Sequence, residues 1–424
     1  MALREHPLRQ QVVAEMHLRR WPPLRAPGTI LQWVRTLSED QRAEEAAMIA
    51  AGATQLVSDN PRHKEGTLAD GVSFVWEGHS EGSSLAMFVA RGDPACFLGP
   101  SGCADLAPLV AWAEAMPGDV IRATRIHLAA DEPSALAIVD RVDFDPLEMV
   151  SCQVGAGSRL WSDFRLQGDG YGRLVIAANG AEPHDFSRLV KRVQELGNYR
   201  NMALIGLPAA RAAWPTLNAV EAQLRELGAQ VSDPEVTDDV LMAELSELSL
   251  DLVSVATAIN YRMSATVAYA RLVEERLDEL DVKPIAGFQS LAEFSRRRFL
   301  PAVRTCAALT ERERQLSLRA QQLSSLLRVR IETRIENQNA RLLGSMERSI
   351  GMQLRLQQLV EGLSVVALSY YAISLLHYLL TGIGARWHFD EDLVLAVAVP
   401  VTVLAVWGTI HRLKHRLLGI GGDH

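Results

Sequence analysis

Two stretches of the sequence, residues 363–380 (LSVVALSYYAISLLHYLL) and 393–410 (LVLAVAVPVTVLAVWGTI), each run eighteen residues without a formal charge when His377 is neutral. As helices they span about 27 Å each, close to the roughly 30 Å hydrocarbon core of a bilayer once flanking residues are added. Separated by twelve residues, they predict a transmembrane hairpin rather than two buried helices of a soluble core. Arg348 and Arg355 precede the first run, and Arg412, Lys414 and Arg416 follow the second. The connection TGIGARWHFDED instead sets Arg386 against Asp390, Glu391 and Asp392. This distribution predicts cytoplasmic termini and an acidic outer loop. The opening MALREHPLRQQ has no apolar run of the kind a signal peptide needs.

The other residues suffice for two or three domains with real cores, because 48% of the 424 side chains are apolar and 22% charged. A net charge of -8 argues against a nucleic-acid partner. Cys96, Cys103, Cys152 and Cys306 fit neither a zinc knuckle nor a disulfide framework. They read as buried free thiols in a reducing compartment.

Residues 1–232 are expected to form an α/β cytoplasmic domain. Strands are predicted at 29–34, 72–76, 85–90, 121–128, 147–154, 160–166 and 173–178, each bounded by Gly, Pro, Asp or Ser. Helices are predicted at 38–51, 104–115, 185–204 and 209–227, the last two joined by a Gly-Leu-Pro turn. Residues 233–358 then form a stalk of long helices. One covers 238–280, where there is no Gly or Pro, and a second runs from 302 into the first apolar run, a rod on the order of 120 Å with a kink near Pro301. A rod of that length requires a partner helix, so a homo-oligomer is expected. Between Glu311 and Glu361 lie nine arginines and six glutamates, a pattern that suits either a solvated helix face or a charged vestibule. Residues 359–424 complete the chain as the hairpin and its basic tail.

Four strings carry a resemblance: HPLRQQVVAEMHLRRWPPLRAP at 6–27, FVWEGHSE at 74–81, GNYRNMALIGLPAAR at 197–211 and QLRLQQLVEGLSVVALSYY at 353–371. Together they resemble a bacterial family of predicted membrane-anchored proteins of unknown function, domain of unknown function 3422. That resemblance implies the bacterial inner membrane and supplies no activity. The order of parts, an α/β domain, a long helix entering the first span, a short acidic outer loop and a basic tail, is similar to CorA-type divalent-cation channels. It implies a funnel-shaped homopentamer whose long helix lines a cation path, with a divalent metal ion as transported or regulatory ligand. Their Gly-Met-Asn signature is replaced here by Thr381-Gly382-Ile383.

Gln357, Glu361, Ser364, Tyr371, Ser374, Tyr378 and Thr381 recur at steps of three, four or seven, and His377 adjoins this polar stripe. In a ring of subunits, Glu361 would form a carboxylate girdle and the hydroxyls would solvate a hydrated cation. Small and hydroxylic residues equally suit helix packing in a bilayer. Asp390, Glu391 and Asp392 would gather cations at the outer mouth, or merely set topology. On a strand, Glu77, His79 and Glu81 would share one face as a metal site, with His6, His17 or His127 as further ligands; the alternative is a structural polar cluster. No HExxH or phosphate loop is present, and no enzymatic activity is expected. The leading expectation is an inner-membrane cation channel, and the other is a non-conducting anchored scaffold or sensor with a ligand- or partner-binding domain.

Overall fold

In a computed structural model, residues 5–15, 21–60, 62–91, 93–99, 104–233, 235–384 and 391–418 are described. They fall into two compact units, Met1–Ser324 and Ser325–His424. The first is built on one ten-stranded sheet. In chain order its strands are β1 (Gly28–Thr36), β2 (Gln55–Asn60), β3 (His63–Ala69), β4 (Val72–Gly78), β5 (Gly82–Val89), β6 (Asp119–Ala129), β7 (Val150–Val154), β8 (Ser158–Ser162), β9 (Gly172–Ala177) and β10 (Lys283–Pro284). Their spatial order is β10-β7-β8-β9-β6-β1-β5-β4-β3-β2. Every neighbouring pair is antiparallel except β6 and β9, which run parallel.

The helices are α1 (Arg9–Glu15), α2 (Glu39–Gly52), α3 (Ala95–Leu98), α4 (Ala107–Glu114), α5 (Glu132–Val139), α6 (Pro183–Leu204), α7 (Gly206–Gln230), α8 (Asp238–Glu279), α9 (Leu291–Phe294), α10 (Leu300–Gly384) and α11 (Glu391–Leu418). Strand alternation sends Ile30, Ile126, Leu128, Leu174 and Ile176 to one face, where they meet Phe186, Val190, Val193 and Leu196 of α6 and Ala270 and Val273 of α8. On the other face Leu31, Trp33, Phe74, Trp76, Leu85 and Met87 meet Ile49 of α2 and Ala113 of α4. Val175 and Ala177 lie against Ala135, Ile138 and Val139 of α5. The central strand β1 is therefore buried on both faces. Each large side chain in these two cores contributes about 2–3 kcal/mol of transfer free energy.

Ser38 starts α2 with a reciprocal cap: its hydroxyl accepts from Gln41 N, and its own N–H donates to Gln41 Oε1. The expected Gly-Leu-Pro turn is not there. Ile205, with helical dihedrals, directly joins α6 to α7. Pro208 fits because it lies in the first turn of α7, where its missing N–H has no helical acceptor to serve. The kink expected at Pro301 takes the form of a π-helical turn, Ser295–Phe299, immediately before α10. Strands β2 and β3 were not expected; both are polar outer strands of the sheet, without the apolar alternation that marks the inner ones.

α8 shows buried residues Leu241, Leu245, Leu248, Leu252, Ile259, Met263, Ala270 and Val273 at steps of three, four or seven, and it packs on both α6 and α7. The first turns of α10 lie along α7, where Arg312 stacks over the Trp214 ring at 5.0 Å and pairs with Glu221. The second unit comprises the remainder of α10 and α11. Two stretches are long and apolar enough to cross a membrane, the far part of α10, up to Thr381, and Leu395–Leu413 within α11. Leu363, Val366, Leu375 and Leu379 of the first, and Val397, Val401 and Leu404 of the second, are all more than half exposed.

Candidate functional site

A cavity of about 300 Å³ opens between the sheet and the α6–α8 layer. Its floor is Gln32 and Val34 of β1, Val75 and Glu77 of β4, and Ser84 and Ala86 of β5. Its wall is Lys191, Glu195, Asn198, Tyr199 and Met202 on one face of α6, with Tyr269 and Leu272 of α8. The spacing 191, 195, 198, 199, 202 is one helical stripe, so the same periodicity that buries Val190 and Val193 in the core turns these polar residues toward the cavity.

The charges are paired in a chain. Lys191 Nζ is 3.0 Å from Glu77 Oε1 and 3.8 Å from Glu195 Oε1, while Arg276 Nε reaches Glu195 Oε2 at 2.7 Å. The rings of Tyr199 and Tyr269 stack with centroids 6.1 Å apart. Burial, reinforced by the Glu81 carboxylate, holds the Tyr269 hydroxyl above its ordinary value, so it is a donor at neutral pH. Trp21 reaches the rim and meets Phe88 edge-on at 5.0 Å. A ligand here would find an ammonium, two carboxylates, an amide and phenolic hydroxyls within an apolar-walled space, the make-up of a small-molecule site.

The structure redistributes the expected metal ligands. β4 ends at Gly78, so His79 and Glu81 lie in the turn to β5 and not on a strand face with Glu77. Gly82 opens β5 and lets that strand close on β1: a Cβ there would sit 1.8 Å from Arg35 O. Glu77 is tied to Lys191, and Glu81 to Arg262 at 3.0 Å. Among the described residues no three His, Cys, Asp or Glu side chains converge to hold a metal ion. His6 belongs to the N-terminal segment, His127 lies on β6 against Phe97, and His17 is outside the described residues.

The stripe residues Gln357, Glu361, Ser364, Tyr371, Ser374, Tyr378 and Thr381, and the adjoining His377, all lie on α10. Tyr371 and Tyr378 are largely exposed. The Ser364 hydroxyl donates to Val360 O, and the Thr381 hydroxyl to His377 O. Asp390 lies outside the described residues, and Glu391 and Asp392 open α11. Among the cysteines, Cys152 and Cys306 are free and buried as expected. Cys96 corrects the sequence reading, because it is disulfide-bonded; Cys103 is outside the described residues.

Sequence reasoning missed a polar network on the opposite sheet face. Glu45 of α2 accepts from Trp76 Nε1 at 3.0 Å and Ser83 Oγ at 2.7 Å, and lies 4.0 Å from Arg35. Burial raises the Glu45 carboxyl above its usual range and lowers the Arg35 guanidinium. Nearby, Asp169 is shared by Arg125 and Arg173. The sequence signal was slight: an acidic residue one turn before the apolar pair Met48 and Ile49 of α2.

A family model described as a protein of unknown function, DUF3422, matches residues 4–417. No curated protein and no solved structure matches the chain.

Proposed function

We propose, from the premise that this chain belongs to the DUF3422 family of proteins of unknown function, that it is a membrane-anchored binding protein and not an enzyme. The apolar parts of α10 and α11 form the bilayer anchor, and the first unit binds a small polar molecule carrying both charges. The observation that carries this reading is the 300 Å³ cavity in which Lys191, Glu77 and Glu195 face one space beside the Tyr199–Tyr269 stack. A zwitterion matches such a lining, since its ammonium and carboxylate can each exchange with one member of an existing ion pair without leaving a buried charge unpaired. The anchor reading is further supported by Ser364 and Thr381, whose protons already satisfy the carbonyls of their own helix.

The test is thermal unfolding of detergent-purified full-length protein across a panel of amino acids and other small zwitterions, with Lys191→Met as control. A saturable rise in melting temperature for one class, absent in Lys191→Met, supports the reading. If no member of the panel moves the wild-type transition, the assignment of this cavity to zwitterions is wrong.

A second reading is the CorA-like channel, a homopentamer in which α10 lines a cation path. The polar face from Glu361 to Thr381, uncovered along one helix, favours it. Native mass spectrometry and divalent-cation flux into proteoliposomes test it. Five subunits, with flux that falls for Tyr371→Leu and Ser374→Leu, would support conduction; a monomer or dimer cannot enclose such a path.

A further inference from the structure

A second, smaller cavity of about 80 Å³ lies between β6, β8, β9 and α6. A single water requires roughly 10–15 Å³ on this measure, so the space holds a few waters or one small polyatomic ion. Four arginines line it, Arg122, Arg165, Arg173 and Arg200, and no acidic residue does. Two of the four have carboxylate partners: Arg165 pairs with Asp145 and Glu148, and Arg173 with Asp169. Among the described residues the other two have none. Arg122 Nη1 donates only to neutral amide oxygens, Gln32 Oε1 at 2.9 Å, Gln194 Oε1 at 2.7 Å and Asn198 Oδ1 at 2.8 Å. Arg200 is more than nine-tenths buried, lies 4.4 Å over the Phe164 ring and 5.3 Å from that of Phe294, and its Nη1 has no hydrogen-bond partner.

These two guanidinium groups are neighbours by construction. Arg200 is one turn beyond Gly197 on α6, and a Cβ at Gly197 would come within 2.8 Å of the Arg122 guanidinium. The glycine is therefore the seat of Arg122. Burial lowers Arg122 to about 9, with the Arg200 charge contributing, and lowers Arg200 to about 10. Both remain cationic at neutral pH. A buried cation beside a half-buried one, with no carboxylate partner for either among the described residues, is an unfavourable arrangement for a folded protein standing alone.

We propose that the cavity between Arg122 and Arg200 binds a tetrahedral oxyanion, phosphate or sulfate, either free or as the head of a phosphomonoester. The guanidinium groups of Arg200 and Arg122 supply the charge-assisted donors, and Phe164 and Phe294 hold the Arg200 plane in place. The site goes beyond the zwitterion cavity: none of Lys191, Glu77 and Glu195 lines it, and the two share only the amides Gln32 and Asn198, which line the first cavity and accept from Arg122.

The experiment uses the full-length protein in detergent, exchanged into Tris chloride free of phosphate and sulfate. Melting temperature and calorimetric binding are followed against inorganic phosphate, sulfate and glycerol 1-phosphate. The expected result is a saturable rise with the oxyanions, growing with concentration as binding linkage requires. Arg200→Met weakens phosphate by about tenfold to a hundredfold, as loss of a charge-assisted hydrogen bond does, while its melting temperature in anion-free buffer equals or exceeds the wild type. Arg122→Met behaves alike, and Lys191→Met keeps the phosphate response. Phosphate alone saturating the site identifies a free ion, whereas tighter binding of glycerol 1-phosphate identifies an esterified head. The proposal is overturned if no oxyanion gives a saturable response, or if Arg200→Met lowers stability equally with and without phosphate, which would make Arg200 a structural stack only.

Discussion

At the level of single residues, buried ionisable groups decide how this protein answers substitution and acid. Glu45 is fully buried and pairs with Arg35, and its two carboxylate oxygens accept from Trp76 and Ser83. Removing one member strands the other, so Glu45→Ala is expected to lower stability by about 3–5 kcal/mol, measured as a shifted unfolding transition. Glu45→Gln, which keeps an acceptor for Trp76 and Ser83, should cost less. His127 makes the complementary case. Burial against Phe97 lowers it from 6.5 to about 4, so in the folded state it stays neutral where the unfolded chain would take up a proton. The unfolded state therefore binds more protons between those values, and stability present above pH 6.5 is lost as pH falls toward 4. The loss has an upper bound of about 3 kcal/mol. His127→Phe should flatten the pH dependence of the melting temperature across that interval; an unchanged slope would assign the acid sensitivity elsewhere.

Among the elements, the long helices were the most legible in the sequence and the outer strands the least. α8 was foreseen almost to the residue, because an uninterrupted run with apolar residues at three- and four-residue steps has few other solutions. β2 and β3 were missed because QLVSDN and HKEGTLA lack a sustained apolar face and are recruited by pairing with β4. The α6–α7 junction was misread because Gly and Pro signal turns in isolation, while here tertiary packing uses them otherwise. A Cβ at Gly206 would approach Thr266 Oγ1 to 2.1 Å, and that hydroxyl donates to Ala203 O at 2.9 Å. The glycine thus lets α8 touch the junction. Gly206→Ala should destabilise by about 1–3 kcal/mol through overpacking. Thr266→Ala removes the obstructing oxygen, so the double variant should be more stable than the sum of the two single effects; strict additivity in the cycle would mean the contact is not what fixes Gly206.

For the whole molecule, the sequence made the two long apolar helical stretches plain and left the cavities obscure. Uncharged runs announce themselves along the chain, whereas one cavity assembles from β1, β4, β5, α6 and α8 and the other from β6, β8, β9 and α6, elements far apart in sequence. The strings FVWEGHSE and GNYRNM did fall at these sites, supplying Glu77 to one cavity, Asn198 and Tyr199 to its wall, and Gly197 and Arg200 to the other. What they did there could not be read locally, since the partners Lys191 and Arg122 lie outside those strings. The orientation of the anchor joins two opposed signals. Basic residues flank both apolar runs on the side away from the acidic connection, which favours a cytoplasmic first unit, yet Cys96 is disulfide-bonded, a state a reducing compartment does not sustain. The charge bias acts during insertion and the thiol equilibrates afterwards, so the charge should prevail. In living bacteria, a fluorescent protein fused after the C-terminal residue should fluoresce and an alkaline phosphatase fused there should be inactive. Thiol trapping in the same cells reports whether Cys96 keeps its disulfide there. An active phosphatase together with a protected Cys96 would place the first unit on the oxidising side and invert the orientation, and with it the source from which either cavity draws its ligand.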